Sequence, residues 1–264
     1  MTVTTNDGCR LNAVGPVNAG RRGQALILSN SLGTDVSLWE RQLVPFSEAR
    51  DVWRYDTRGH GGSGVPPGDY SIARLGQDLL AVMDHAGIAA ADICGISIGG
   101  MTALWVAINA PERVRRLVLA NTGAKIGTLD LWRERMAVAR SEGVGPLADG
   151  AMQRWFTAGF RERDPQAIEH FRSAMAATNP VGYLGCCAAL RDADLRDASS
   201  QVHAETLVIT GTHDPATPPA DGEWLRDHIP GARLVELDAA HLSNVEAADR
   251  FNQAVLEFLR PEEK

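Results

Sequence analysis

With 264 residues, 44% of them hydrophobic, the chain can bury one sizeable core, long for a single domain but ordinary for an α/β fold. A formal net charge of -7 argues against nucleic acid and anionic membrane surfaces as partners. No run of about 18 apolar residues offers a membrane span, the stretch Met1 to Asp7 has no basic region leading into an apolar one, and Cys9, Cys94, Cys186 and Cys187 lack metal-ligand spacing. Free thiols in a cytoplasmic protein with no metal and no cofactor are the expectation.

In chain order, Thr2 to Thr5 and Arg10 to Val14 read as a hairpin turning at Asn6-Asp7-Gly8. Ala25-Leu26-Ile27-Leu28 is a continuous apolar run, the pattern of a strand covered on both faces, and it ends in a small polar loop from Ser29 to Asp35. A helix is expected from Ser37 to Pro45 and a strand from Asp51 to Tyr55. The glycine-rich stretch Asp56 to Gly64 has neither the lysine nor the glycine spacing of a phosphate loop. It reads as structural support for a site rim, with Arg58 and His60 as buried polar anchors. Ser71 to Ala86 places Ile72, Leu75, Leu79, Val82 and Met83 on one helical face. Asp92-Ile93-Cys94 is the next strand. Met101, Leu104, Trp105 and Ile108 then follow at helical spacing, and Arg116 to Asn121 returns as a strand.

Strands alternating with helices specify a mostly parallel sheet covered on both sides. The rhythm breaks between 122 and 194, where four helical patterns follow one another. Trp132, Met136 and Ala139 mark the first, and Leu147, Ala151, Trp155 and Phe156 the second, behind Pro146. Asp164-Pro165 and Asn179-Pro180 start the other two. This all-helical segment reads as a lid inserted into a core of 1–121 and 195–264, not as a separate domain. The sheet resumes at Thr206 to Thr210 and Arg233 to Leu237, with a helix at Ala220 to His228 between them. One last helix is expected from Asn244 to Leu259.

The chemistry centres on Gly95-Ile96-Ser97-Ile98-Gly99. A serine between near glycines, after a strand and before a helix, is the nucleophile-elbow pattern. The turn strains the serine backbone, and side chains at either glycine would collide with it. A serine hydroxyl needs an imidazole base and a carboxylate to orient that base. Asp214, in Gly211-Thr212-His213-Asp214-Pro215, and His241, in Asp238-Ala239-Ala240-His241-Leu242, both follow late strands. Asp221 and Asp238 are weaker competitors for the acid, and the other six histidines read as surface or core residues. An oxyanion would be held by the backbone N–H of Ile98 and by a second N–H from the loop after Ala25 to Leu28, assigned to Leu32.

With elbow, triad order and lid in place, the chain resembles the α/β-hydrolase superfamily, which implies an eight-stranded, mostly parallel sheet flanked by helices. Within it, Asn121-Thr122-Gly123-Ala124-Lys125-Ile126-Gly127, Arg154-Trp155-Phe156-Thr157, and Cys186-Cys187-Ala188-Ala189-Leu190-Arg191-Asp192 are similar to the 3-oxoadipate enol-lactonases of bacterial aromatic catabolism. Gly211 to Pro219 and Ala240-His241-Leu242-Ser243-Asn244 extend the similarity. Where the wider superfamily has His-Gly before the oxyanion residue, this chain has Asn30-Ser31. The resemblance implies ring opening of a small anionic lactone through a Ser97 acyl-enzyme. A general carboxylesterase, a perhydrolase or a C–C hydrolase would use the same triad, and a non-catalytic ligand receptor is the reading outside enzymes. The substrate carboxylate calls for a local cation in the lid. Lys125, Arg133, Arg135, Arg154 and Arg191 are the candidates, with Arg133 the first choice, and Trp132 and Trp155 are candidate pocket walls.

Overall fold

The structure is a computed structural model that describes residues 1–17 and 24–260. Residues 18–23 and 261–264 of the expected core segments lie outside the described residues. Eight strands form one sheet: β1 (Thr2–Thr4), β2 (Arg10–Val17), β3 (Gln24–Ser29), β4 (Arg50–Tyr55), β5 (Ala91–Ile96), β6 (Val114–Ala120), β7 (Glu205–Gly211) and β8 (Arg233–Leu237). Their order across the sheet is β1-β2-β4-β3-β5-β6-β7-β8. The first two pairings are antiparallel and all the others parallel.

The apolar runs behave as two-sided strands. Leu26 and Leu28 of β3 and Val118 and Ala120 of β6 pack into one layer, while Ile27, Leu117 and Leu119 pack into the opposite one. Helices α1 (Glu40–Ser47), preceded by a 3-10 turn, α2 (Ile72–His85) and α3 (Ile98–Asn109) link the first strands. Between β6 and β7 the described residues hold no strand but five helices, α4 (Leu129–Glu142), α5 (Gly145–Trp155), α6 (Ala158–Arg163), α7 (Pro165–Ala176) and α8 (Pro180–Asp192), then a 3-10 turn. Thr128, Asp164 and Asn179 each accept a backbone N–H at the start of α4, α7 and α8, worth about 1 kcal/mol per cap. Trp132, Met136, Met152, Trp155, Phe171 and Met175 from these helices share one apolar cluster with a face of the sheet. The inserted helices therefore have no core of their own.

The structure departs from the sequence reading in two places. Helix α6 is an additional element, too short to show a period. The expected last helix is broken into α10 (Ser243–Glu246) and α11 (Ala248–Leu259), with α9 (Pro219–His228) earlier in the chain. At the break Ala247 leaves helical geometry, at φ -116 and ψ 43. Tertiary bonds hold the first turn instead: Asn244 Nδ2 donates to Leu38 O (2.9 Å), and the Glu246 carboxylate accepts from Ala240 N–H (3.0 Å).

The glycine-rich segment 56–64 is the support expected. Arg58 grips Asp78 through two bonds of 2.5 and 2.6 Å, both side chains buried, and reaches Asp7 at 2.9 Å. Asp56 accepts from Val36 N–H, Gly62 N–H and Asn12 Nδ2 at 2.7–2.8 Å, tying this turn to the loop after β3.

The tightest constraint is backbone against backbone. A Cβ on Gly95 would lie 2.2 Å from Gly99 O, and one on Gly99 would lie 2.3 Å from Ser29 O. No rotamer change relieves either clash, so Gly99→Ala is expected to lower unfolding stability by about 3 kcal/mol or more in urea titration. Gly8→Ala, where only φ +82 is at stake and no atom lies within 4 Å, should cost about 1–2 kcal/mol. Equal costs would contradict the packing argument.

Candidate active site

Ser97 sits at the junction of β5 and α3 with φ 58 and ψ -122, a left-handed conformation rare outside glycine. Its N–H donates to Ala120 O (3.1 Å), and its carbonyl accepts from Met101 N–H (3.0 Å) and Thr122 Oγ1 (2.7 Å). These three bonds hold the strained residue in place. As the first residue of α3, Ile98 has no intrahelical partner for its N–H, and that donor belongs to the positive end of the helix.

Asp214 and His241 lie in the loops after β7 and β8. His241 Nδ1 meets Asp214 Oδ2 at 2.8 Å, with both side chains buried. Asp214 is surrounded by donors: Ala216 N–H (2.8 Å) and Thr217 N–H (3.1 Å) on Oδ1, Thr217 Oγ1 (2.7 Å) and Asn121 Nδ2 (3.0 Å) on Oδ2. Burial alone would push the carboxyl up. The facing His241 and the bonds from His241, Thr217 and Asn121 outweigh it and hold Asp214 below the usual carboxylate range. An ionised Asp214 fixes the proton on Nδ1 and leaves Nε2 free to act as a base. Asp238 pairs with exposed His213 at 2.8 Å instead, and half-buried Asp221 is not among the partners of His241.

Asn121 was not singled out from sequence. It has φ 43, is fully buried, and bonds Asp214, Ala240 O (3.2 Å) and Ser243 Oγ (2.5 Å) together. The only local hint is an asparagine at a strand end, where a left-handed residue is tolerated.

The loop after β3 is fixed by two side chains. Asn30 donates to Tyr55 O and accepts from Trp39 Nε1, both at 2.8 Å. Gly33 N–H donates to His60 Nε2 at 3.0 Å, which requires the His60 proton on Nδ1, facing Arg58 O at 3.3 Å. Asn30 thus supplies the rigidity of the loop that presents Leu32. Leu32, Ser31, Ser97 and His241 all border one cavity of about 120 Å³ beneath the inserted helices.

A sequence model described as the alpha/beta hydrolase fold matches residues 24–248. The chain belongs to the α/β-hydrolase fold family. It is 46% identical over 231 residues to 3-oxoadipate enol-lactonase 2 of Acinetobacter baylyi, covering 88% of this chain and 86% of that one. It is 35% identical to 3-oxoadipate enol-lactonase 1 of the same organism over 260 residues, 98% and 97% of the two chains. The crystal structure of the enol-lactonase from Burkholderia xenovorans LB400 superposes with a TM-score of 0.96 at 42% identity, covering 98% and 99% of the two chains.

In this α/β hydrolase the cavity is walled by Trp132, Trp155, Tyr183 and Met175, and two arginines reach it, Arg135 and Arg154. Arg133, the first choice from sequence, does not. It points outward with 64% of its side chain exposed, 3.6 Å from Asp130. Lys125 borders a neighbouring groove and pairs with Asp194 at 3.2 Å, while Arg191 pairs with Asp69 and Asp192. The reason is helical phase: Arg135 lies three residues after inward-facing Trp132, whereas Arg133 is a quarter-turn away. Arg135 stacks over Trp132 at 5.0 Å. Among the described residues neither Arg135 nor Arg154 has a carboxylate partner. Burial and then the neighbouring Arg135 charge push the Arg154 guanidinium down from its usual value. Two uncompensated cations beside an apolar wall form a site for an anion.

His60 gives this site a measurable pH signature. Its complete burial lowers it to about 4 from 6.5, against the smaller opposing effect of its bond to Arg58 O. Between those values the unfolded chain binds a proton that the folded chain refuses, so stability falls as pH drops from 6.5 to about 4. The gap bounds the effect at about 3 kcal/mol. His60→Gln should flatten the stability profile over that window in urea titrations; an unchanged slope would contradict the neutral buried imidazole.

Proposed function

We propose that this protein hydrolyses 3-oxoadipate enol-lactone to 3-oxoadipate in the cytoplasm, with Ser97 as nucleophile, His241 as acid–base and Asp214 as its orienting partner. The observation that carries the reading is one small cavity bordered by Ser97, by the Asp214-bonded His241, and by Arg135 and Arg154, which have no carboxylate partner among the described residues. The similarity to two enol-lactonases over most of the chain supports the choice of lactone.

The reaction follows from the placement of these groups. The substrate carboxylate binds Arg135 and Arg154, with Trp132 and Trp155 against the ring, and the lactone carbonyl is turned towards Ser97. His241 Nε2 takes the hydroxyl proton as Oγ attacks. The tetrahedral oxyanion is held by the N–H groups of Leu32 and Ile98, each such donor being worth about 10²–10³ in rate. Collapse breaks the ring C–O bond. The departing oxygen is an enolate, a good leaving group that asks little of an acid; it takes up the proton that His241 received from Ser97 and ketonises, which returns His241 to its neutral form. Water, deprotonated by His241, then attacks the Ser97 ester and releases the second carboxylate. The chemistry calls for no metal or cofactor.

Turnover of the enol-lactone should exceed that of an uncharged aryl acetate by orders of magnitude, and Ser97→Ala should abolish both. Arg135→Ala and Arg154→Ala should each lower kcat/KM for the lactone about 10- to 100-fold, the value of a charge-assisted hydrogen bond, and leave the acetate nearly unchanged. Better activity on the acetate would identify a general esterase, and tight binding without turnover a receptor.

A further inference from the structure

Glu246 stands where the expected last helix breaks, and its half-buried carboxylate serves two elements at once. Towards the triad it accepts from the N–H of Ala240, the residue before His241, at 3.0 Å. Towards the inserted helices it accepts from the N–H of Thr157 at 3.2 and 3.3 Å and from the Thr157 hydroxyl. A backbone bond runs parallel to this bridge, from Leu242 N–H to Trp155 O at 3.1 Å. The loop carrying His241 is thus stitched on both sides of the histidine to the turn that follows cavity-wall Trp155. On the sheet side the same loop is held by Asn121, through Ala240 O.

We propose that Glu246 is a positioning residue, which locks the His241 loop to the Trp155 wall so that the imidazole is aligned only when that wall is in place. The physical basis is the cost of the alternative. Without the carboxylate, the N–H groups of Ala240 and Thr157 and the Thr157 hydroxyl lose a charged acceptor in a half-buried setting, and each turns to water. The loop then depends on the Leu242–Trp155 bond alone on that side. A shift of about 1 Å in His241 is enough to cost roughly 10² in rate. The broken helix has a use in this account: a continuous helix through Ala247 would leave the Glu246 geometry to helical phase and not to the two donors it serves.

This inference rests on the serine-hydrolase reading of the site, and its test separates the two. The full-length protein and its Glu246→Ala, Glu246→Gln and Thr157→Val variants are assayed for kcat and KM on the enol-lactone. The rate at which Ser97 is phosphonylated by a small fluorophosphonate, which needs the triad but not the arginines, is measured in parallel. Expected are a loss of about 10- to 100-fold in both kcat and phosphonylation for Glu246→Ala, and KM changed less than about threefold. Glu246→Gln, which keeps one acceptor oxygen, and Thr157→Val should fall between this variant and the parent. Thermal unfolding is followed to show that the variants remain folded, and if Glu246→Ala does not fold, the two milder variants carry the test. A raised KM with phosphonylation unchanged would overturn the proposal, leaving Glu246 a tie for the inserted helices only. If the parent protein is phosphonylated and sensitive to Glu246→Ala yet fails to open the lactone, the substrate assignment falls and the positioning role stands.

Discussion

The close approach of the loop after β3 to the first turn of α3 is the constraint on which the site depends. Gly99 makes room for Ser29 O, and Gly95 for Gly99 O. That contact brings the segment bearing Leu32 beside the N-terminus of α3. The same turn forces Ser97 into a left-handed conformation, a strain of order 1–3 kcal/mol offset by the Ser97 N–H bond to Ala120 O and by the bonds that Met101 N–H and Thr122 Oγ1 donate to Ser97 O. Strand, bend and helix therefore place a hydroxyl, a free N–H and the positive end of a helix within one small volume. That combination suits a serine that must carry developing negative charge nearby.

Charge is handled locally. The protein carries a net -7, yet its cavity is bordered by two arginines free of carboxylate partners among the described residues. Asp214 adds little repulsion to an incoming anion, because four donors besides His241 already share its charge. Surface arginines such as Arg41 and Arg196 pair with acids, Asp164 and Asp194, whereas Arg135 and Arg154 border the cavity with no carboxylate partner among the described residues.

Much of this was legible in the chain. Ser97 and Asp214 follow short runs buried on both faces, and His241 follows the half-exposed edge strand Arg233–Leu237, so strand ends pointed to all three as candidates. The position of Leu32 beside the cavity was legible in the same way, from the apolar run of β3 before its loop. Arg133 was the first choice from sequence and lies outside the cavity, although the phase of Trp132, Met136 and Ala139 in α4 turns Arg135 towards it. Asn121 and Glu246 left no such trace. Asn121 meets Asp214 across 93 positions and Glu246 meets Thr157 across 89, and neither contact imposes a local period or composition. The break at Ala247 was invisible for the same reason: inward-facing Val245, Phe251 and Val255 fit one helix, and only the tertiary acceptor role of Glu246 interrupts it.

In the mechanism proposed above, lactone opening passes through an ester on Ser97. In a lactone the acyl and leaving groups are one molecule, so the intermediate must retain every substrate atom. Mass spectrometry of the protein quenched within a single turnover tests this directly. The expected result is an adduct of one whole lactone on the peptide containing Ser97, absent in Ser97→Ala. Undiminished ring opening in Ser97→Ala, or an adduct on any other residue, would contradict it.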